Sequence, residues 1–179
     1  DQKKRSLVIG SGKTGTVVAL DARRGGQFVW RASVGRHEND KLQTYGDAGV
    51  DVYPGSLGGI IAPIAYADDT VYVPTVNWGR HYFPGGAAQG LIGAGTGELI
   101  ALNAADGSER WKKALPGTPY GGITVVNDLL VTSTVNGLVL VFERSTGNEL
   151  WRFQGPNGIN APITVAGDLL IVPFGIGPG

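Results

Sequence analysis

The sequence predicts an all-β chain, part of a β-propeller of four-stranded antiparallel blades, and three observations carry that prediction. First, a motif recurs. From Gly97 the chain reads Gly-Glu-Leu-Ile-Ala-Leu-Asn-Ala-Ala-Asp-Gly-Ser-Glu-Arg-Trp, and from Leu138 it reads Leu-Val-Leu-Val-Phe-Glu-Arg-Ser-Thr-Gly-Asn-Glu-Leu-Trp. Trp111 and Trp151 lie 40 residues apart, and a fixed period in that range marks an array of supersecondary units. A third copy, Val17 to Trp30, carries one extra residue in its turn. Second, 30 glycines punctuate short apolar runs, as many tight turns require. Third, runs such as Leu138-Val-Leu-Val-Phe142 are apolar on both faces, which fits stacked blades better than a sheet with one wet face.

Taken in order, 6–10 and 17–20 read as strands joined by the turn Gly12-Lys-Thr-Gly15, and 27–34 as a third strand. The stretch 35–58 breaks the rhythm with charged residues and reads as a long loop. A hairpin over 60–66 and 70–76 follows, turning at Asp68-Asp69. The stretch 77–97 is a second, Gly-rich loop insertion. Strands 98–103 and 108–115 pair around Asp106-Gly107, a strong hairpin signal. The next unit has no long insertion: strands 122–126, 129–135, 138–143 and 149–154. Another unit begins with 161–165 and 169–173. No segment sustains a 3.6-residue apolar period, so almost no helix is predicted.

Labelling the blade strands A to D from the inside outward gives B-C-D, A-B-C-D, A-B-C-D, A-B, or 13 strands. This is one partial propeller over 1–179, with blade remnants 6–34, 59–115, 121–154 and 160–174. Four full blades need 16 strands, so the remaining blades of the same propeller, or another chain, are expected to cover the open ends. With no methionine even at position 1, the sequence reads as a piece of a longer chain.

Fifteen basic residues balance fifteen acidic ones, with no basic stripe, so nucleic acid is not an expected partner. No apolar run approaches the roughly 18 residues of a membrane span. The absence of cysteine excludes disulfides and thiolate metal sites. Two motifs are lookalikes only. Gly10-Ser-Gly-Lys-Thr-Gly15 lacks the first glycine of a phosphate-binding loop, and Gly93-Ala-Gly-Thr-Gly97 has Glu98 where a dinucleotide fingerprint needs glycine.

In an antiparallel blade the B–C and D–A connections emerge on one face. Both insertions, 35–58 and 77–97, therefore share a face with Pro119-Tyr120 and Asn157-Gly-Ile-Asn160, and binding residues concentrate on such loops. Trp30, Trp111 and Trp151 fall in one register of strand D and read as packing residues between blades. Trp78 lies outside that register and is the tryptophan to test as a ligand platform. His37 and His81 fall on the same face; with nearby carboxylates such as Glu38 or Asp40 they could bind a transition metal, but two isolated loop histidines read more readily as solvated.

The repeated Leu-Asp/Asn-x-x-x-Gly-x-x-x-Trp pattern resembles the repeat of pyrroloquinoline quinone (PQQ) dehydrogenase propellers, over three copies and most of the chain. Noncatalytic outer-membrane assembly lipoproteins use a similar repeat. Val71-Tyr-Val-Pro-Thr-Val-Asn77-Trp78 resembles the quinoprotein blade that carries a calcium-ligating Asn, and Leu150 to Thr164 resembles a late blade of the alcohol dehydrogenases. The resemblance implies a periplasmic or extracellular protein using PQQ and calcium on a small alcohol or sugar. Asn77 is then the metal ligand, and Trp78, Arg80 and Asn160 are the cofactor-binding candidates. The chain departs from that pattern at Gly117-Thr-Pro-Tyr-Gly121, where no carboxylate stands for the catalytic base, and no catalytic residue is assigned. The alternative is a noncatalytic scaffold that binds a protein, glycan or envelope partner through the insertion face.

Overall fold

The computed structural model describes residues 6–88 and 95–175. The first blade is a three-stranded sheet in the order β1 (Leu7–Gly12), β2 (Thr16–Asp21), β3 (Gln27–Ser33). The extra residue in its outer turn is absorbed by a 3-10 turn over Ala22–Arg24. Asp21 caps that turn by accepting the Arg23 N–H, and Gly25 closes it in the left-handed region. Three strands belong to the insertions: β4 (Val50–Val52) precedes the second blade, while β7 (Arg80–Phe83) and β8 (Gly86–Ala87) interrupt it. The second blade has the order β5 (Ala65–Ala67), β6 (Thr70–Asn77), β9 (Thr96–Asn103), β10 (Glu109–Leu115). The third runs β11 (Ile123–Val126), β12 (Leu129–Ser133), β13 (Leu138–Glu143), β14 (Glu149–Gln154), and β15 (Thr164–Ala166) with β16 (Leu169–Ile171) begins a fourth. Every blade pairing is antiparallel. The blade strands are therefore the B-C-D, A-B-C-D, A-B-C-D, A-B series of a partial propeller.

Alternation along β9 shows why these strands are apolar throughout. Ile100 and Leu102 point into a core with Val17, Ala19, Trp30, Val71 and Val73, between the first two blades. Leu99 and Ala101 point the other way, into a core with Leu130, Leu140 and Phe142 of the third blade. A smaller core around Val139, Ile159 and Ile163 joins the third blade to the start of the fourth. At the two ends the apolar residues are open, with Val8 and Phe28 on the first blade and Trp151, Phe153 and Leu169 at the other end.

Two inner strands are shorter than expected. The predicted hairpin 60–66/70–76 pairs only from Ala65 opposite Tyr72 to Ala67 opposite Thr70. Extending that register by two residues sets Pro63 opposite Pro74, and neither proline has an N–H to give the ladder. The fourth blade repeats the device. Its pairing stops at Thr164 opposite Ile171, and two residues further Pro162 faces Pro173.

The two insertions are not plain loops. The described parts of both combine in a separate three-stranded sheet, β4-β7-β8, with Val50, Asp51 and Val52 opposite Tyr82, His81 and Arg80. Part of 77–97, and with it Gly93 and Ala94 of the dinucleotide-like motif, lies outside the described residues.

Candidate functional site

The B–C and D–A connections interlock on one face by a repeated contact. Gly35, at the start of one D–A connection, lies against Thr75 and Asn77, and a methyl group added to it would come within 3.1 Å of Asn77 Oδ1. Gly117 starts the next connection and lies against Thr134 and Asn136, with Asn136 Oδ1 at 2.7 Å from such a methyl. Thr75-Val-Asn77 and Thr134-Val-Asn136 are thus the same structural position in successive blades. Gly155 continues the series against Phe174.

On the second blade this position is elaborated by the insertions. Asn77 Oδ1 accepts the backbone N–H of Arg36 at 2.8 Å. The Trp78 carbonyl accepts the Gly55 N–H at 2.8 Å, and Glu38 and Tyr53 exchange two backbone hydrogen bonds at 2.8 Å each. Gly79 passes so close to the Tyr53 ring that no side chain fits there. Arg80 donates from Nε to the Ala88 carbonyl at 2.9 Å and from Nη1 to Ser56 Oγ at 2.8 Å. The Arg36 guanidinium lies 3.7 Å from the centre of the Tyr53 ring and pairs with Glu38. Tyr45 and Tyr82 stack with centroids 5.6 Å apart, and Leu42 and Phe83 are exposed beside them in sequence. A cavity of about 210 Å³ bounded by Lys13, Thr14, Asp40, Val52 and Pro54 separates the insertion from the first-blade turn.

Asn77, Trp78 and Arg80 are therefore together at the root of the insertion sheet. Trp78 is only 8% exposed. Asn160 stands exposed in the connection that leads to the fourth blade, next to fully buried Ile159, whose N–H reaches the Thr134 carbonyl. The histidines are not simply solvated, because each ring is held between a carboxylate and a backbone carbonyl. Tyr45, Asp51, Tyr53 and Ser56 are site residues that the sequence reading did not single out. The alternation Arg80-His-Tyr-Phe83 after Gly79 was the available signal for the strand that gathers them.

As a calcium and PQQ site this set does not fit by itself. Asn77 supplies one neutral oxygen, already engaged by the Arg36 amide, whereas calcium takes six to eight oxygen ligands. Among the described residues no group of three or more His, Cys, Asp or Glu is placed to hold a metal. The Trp78 ring is largely covered, and the Arg80 guanidinium is already tied to the loop backbone and Ser56.

Radially stacked four-stranded blades with one elaborated face define a propeller of the PQQ-repeat class. The family described as outer membrane protein assembly factor BamB matches residues 13–178, and the chain belongs to it. No curated protein matches the sequence. Among solved structures, a quinohemoprotein alcohol dehydrogenase from Pseudomonas putida superposes with a TM-score of 0.74 at 17% identity, covering 100% of this chain and 33% of the other. A europium-containing methanol dehydrogenase gives 0.70 at 21% identity, over 90% of this chain and 34% of the other. A quinohemoprotein alcohol dehydrogenase from Comamonas testosteroni gives 0.67 at 18% identity, over 89% and 30%. The chain spans about a third of the length of each. At these identities the likeness is one of fold.

Proposed function

We propose that the chain is part of a noncatalytic propeller scaffold, one continuous partial domain whose insertion face, built from 35–58 and 77–88, binds a protein partner. The observation that supports this reading is the β4-β7-β8 sheet. Both insertions are spent on raising one ordered, aromatic-bearing platform, and the polar groups at its root are engaged in holding it rather than converging on an open cavity. Periplasmic or extracellular location follows from the same family reading. A photo-crosslinking residue at Phe83 in the full-length protein should capture a discrete partner that the same residue at Lys112, on an outer strand, does not. Equal capture at both positions, or none at Phe83, would overturn the proposal.

A second reading is favoured by the grouping of Asn77, Trp78 and Arg80: a PQQ-dependent dehydrogenase acting on small alcohols or sugars. In that case Asn77 would hold calcium, and Trp78, Arg80 and Asn160 would contact the quinone, which supplies the redox chemistry when bound. Further ligands would have to come from outside the described residues. Calcium-dependent, saturable binding of PQQ to the full-length protein, weakened by Asn77→Ala, would select this reading over the scaffold.

A further inference from the structure

Both histidines of the chain sit in one and the same geometric setting, and we infer that they latch the 35–58 insertion in place, with His81 acting as a proton-dependent latch. His37 Nδ1 lies 2.7 Å from Asp40 Oδ2, and its Nε2 lies 3.2 Å from the Val34 carbonyl. His81 Nδ1 lies 2.8 Å from Asp51 Oδ1, and its Nε2 lies 3.1 Å from the Ala48 carbonyl. All four partners are pure acceptors. A neutral imidazole carries one N–H and one lone pair, so it can satisfy only one side and sets its lone pair against the other. An imidazolium donates on both sides. At His81 the geometry therefore selects the cation.

The two latches act at different points, His37 at the start of the insertion and His81 at its middle. His37 joins the end of the first blade to Asp40, with its ring against Gly15, where an added methyl would sit 2.8 Å from Nε2. His81, on β7, grips the approach to β4 and lies against Gly49, which has no room for a side chain. Each ring is thus packed on a glycine that admits it. The charged groups around them are few. Lys13 of the first-blade turn borders the same cavity as Asp40, Lys41 follows in sequence, and Arg36 lies close enough to Asp51 to feel its charge. Glu38 is engaged by Arg36, and β8, on the far side of β7, carries no ionisable residue.

The titration directions agree with the geometry. The hydrogen bond from Asp51, then the Ala48 carbonyl, raises the His81 pKa. The hydrogen bond to His37 holds the Asp40 carboxyl below its usual range. A raised imidazole stabilises below its unfolded value of about 6.5 and loses that contribution as pH rises through its folded value. A depressed carboxyl stabilises above about 3.9 and loses its contribution as pH falls through its folded value. The His81 latch is therefore closed below about pH 6.5 and opens as pH rises through its higher folded value, which frees the insertion while the blades stay intact. This holds whether or not a partner binds the face.

The test is amide exchange of the full-length protein between about pH 5.5 and about pH 8.5, corrected for intrinsic rates, since imidazoles change charge across that range. Protection of the Glu38, Gly49 and Tyr53 amides, all hydrogen-bonded within the insertion, should fall by about two- to fivefold, the size expected of an exposed ion pair. Protection of Val76 on the second blade should stay constant. His37→Gln and His81→Gln should show the low protection at every pH. Because either variant can disturb packing against Gly15 or Gly49, the His81 C2 proton of the unaltered protein provides an independent readout and should titrate above the ordinary imidazole value of about 6.5. Insertion protection that is flat with pH, or a His81 that titrates at or below that value, would overturn the inference.

Discussion

The indole nitrogen of Trp30 donates to the carbonyl oxygen of Ala104 at 2.8 Å, from the outer strand of one blade to the outer turn of the next. The same ring lies over Gly107, three residues beyond that carbonyl. One blade further, Trp111 donates to the Arg144 carbonyl at 3.2 Å and lies over Gly147, again three residues on. The 40-residue repeat is therefore a docking rule between neighbours, in which an outer-strand tryptophan is received by a glycine turn. Trp151 holds the same position on the third blade and is 48% exposed.

That rule makes Gly107→Ala a sharp test. Gly107 has a φ of +75°, and an added methyl would stand 2.5 Å from Trp30 Cε3. Left-handed strain and overpacking together should cost about 2–4 kcal/mol. Gly25→Ala is the matched control, with a φ of +63° and open space around the position. It should cost only about 1–2 kcal/mol, the left-handed penalty alone. Chemical unfolding of the two variants side by side measures the difference, and equal losses would show that the ring does not constrain the turn.

Trp30→Phe probes the donor. The replacement leaves an aromatic ring at the docking position but strands the Ala104 carbonyl in a buried place, which should cost about 1–3 kcal/mol beyond the lost ring area. Trp111→Phe should cost less, because Trp111 is only half-buried and its bond is longer. Unfolding midpoints in urea would rank them, and a reversed order would refute the docking rule as an energetic statement.

Asn77 and Asn136 occupy one repeat position, so a metal role can be separated from a structural one. Asn77→Ala removes the acceptor of the Arg36 N–H, and Asn136→Ala removes the acceptor of the Thr134 hydroxyl. Each should lower stability by about 1 kcal/mol, the net worth of an ordinary hydrogen bond, with no dependence on calcium. If calcium instead stabilises the unaltered protein and Asn136→Ala but not Asn77→Ala, the quinoprotein reading gains and the tether reading fails.

The blade series was legible because turn glycines and the 40-residue tryptophan spacing are local signals. Strand ends were less so. The stops at Pro63 and Pro162 depend on which residue each proline faces, and pairing is a tertiary fact that a run of apolar residues does not carry. The insertion sheet was hidden for a related reason. Val50–Val52 and Arg80–Phe83 are short, and their partners lie about 30 residues away in sequence. At the site, the sequence singled out Asn77 by resemblance. Its equivalence to Asn136 became visible only when Gly35 and Gly117 were seen in matching contacts.

Tyr120 offers a last, pH-based test of how the connections are stitched together. Its hydroxyl donates to the Leu57 carbonyl at 3.2 Å, linking the 116–122 connection to the first insertion. Partial burial raises its pKa above the ordinary tyrosine value, because the phenolate would be withdrawn from water. A raised phenol favours the protonated native state, so its contribution is complete below about pH 10 and is lost as pH rises through the higher folded value. Tyr66 also titrates late, held by its hydrogen bond to Asp69. Near-ultraviolet titration of Tyr120→Phe should therefore lose one late-ionising tyrosine and keep Tyr66. The variant should also lose less stability per pH unit above about pH 10 than the unaltered protein. An unchanged late phase in Tyr120→Phe would place that tyrosine in water and remove the link between the two connections.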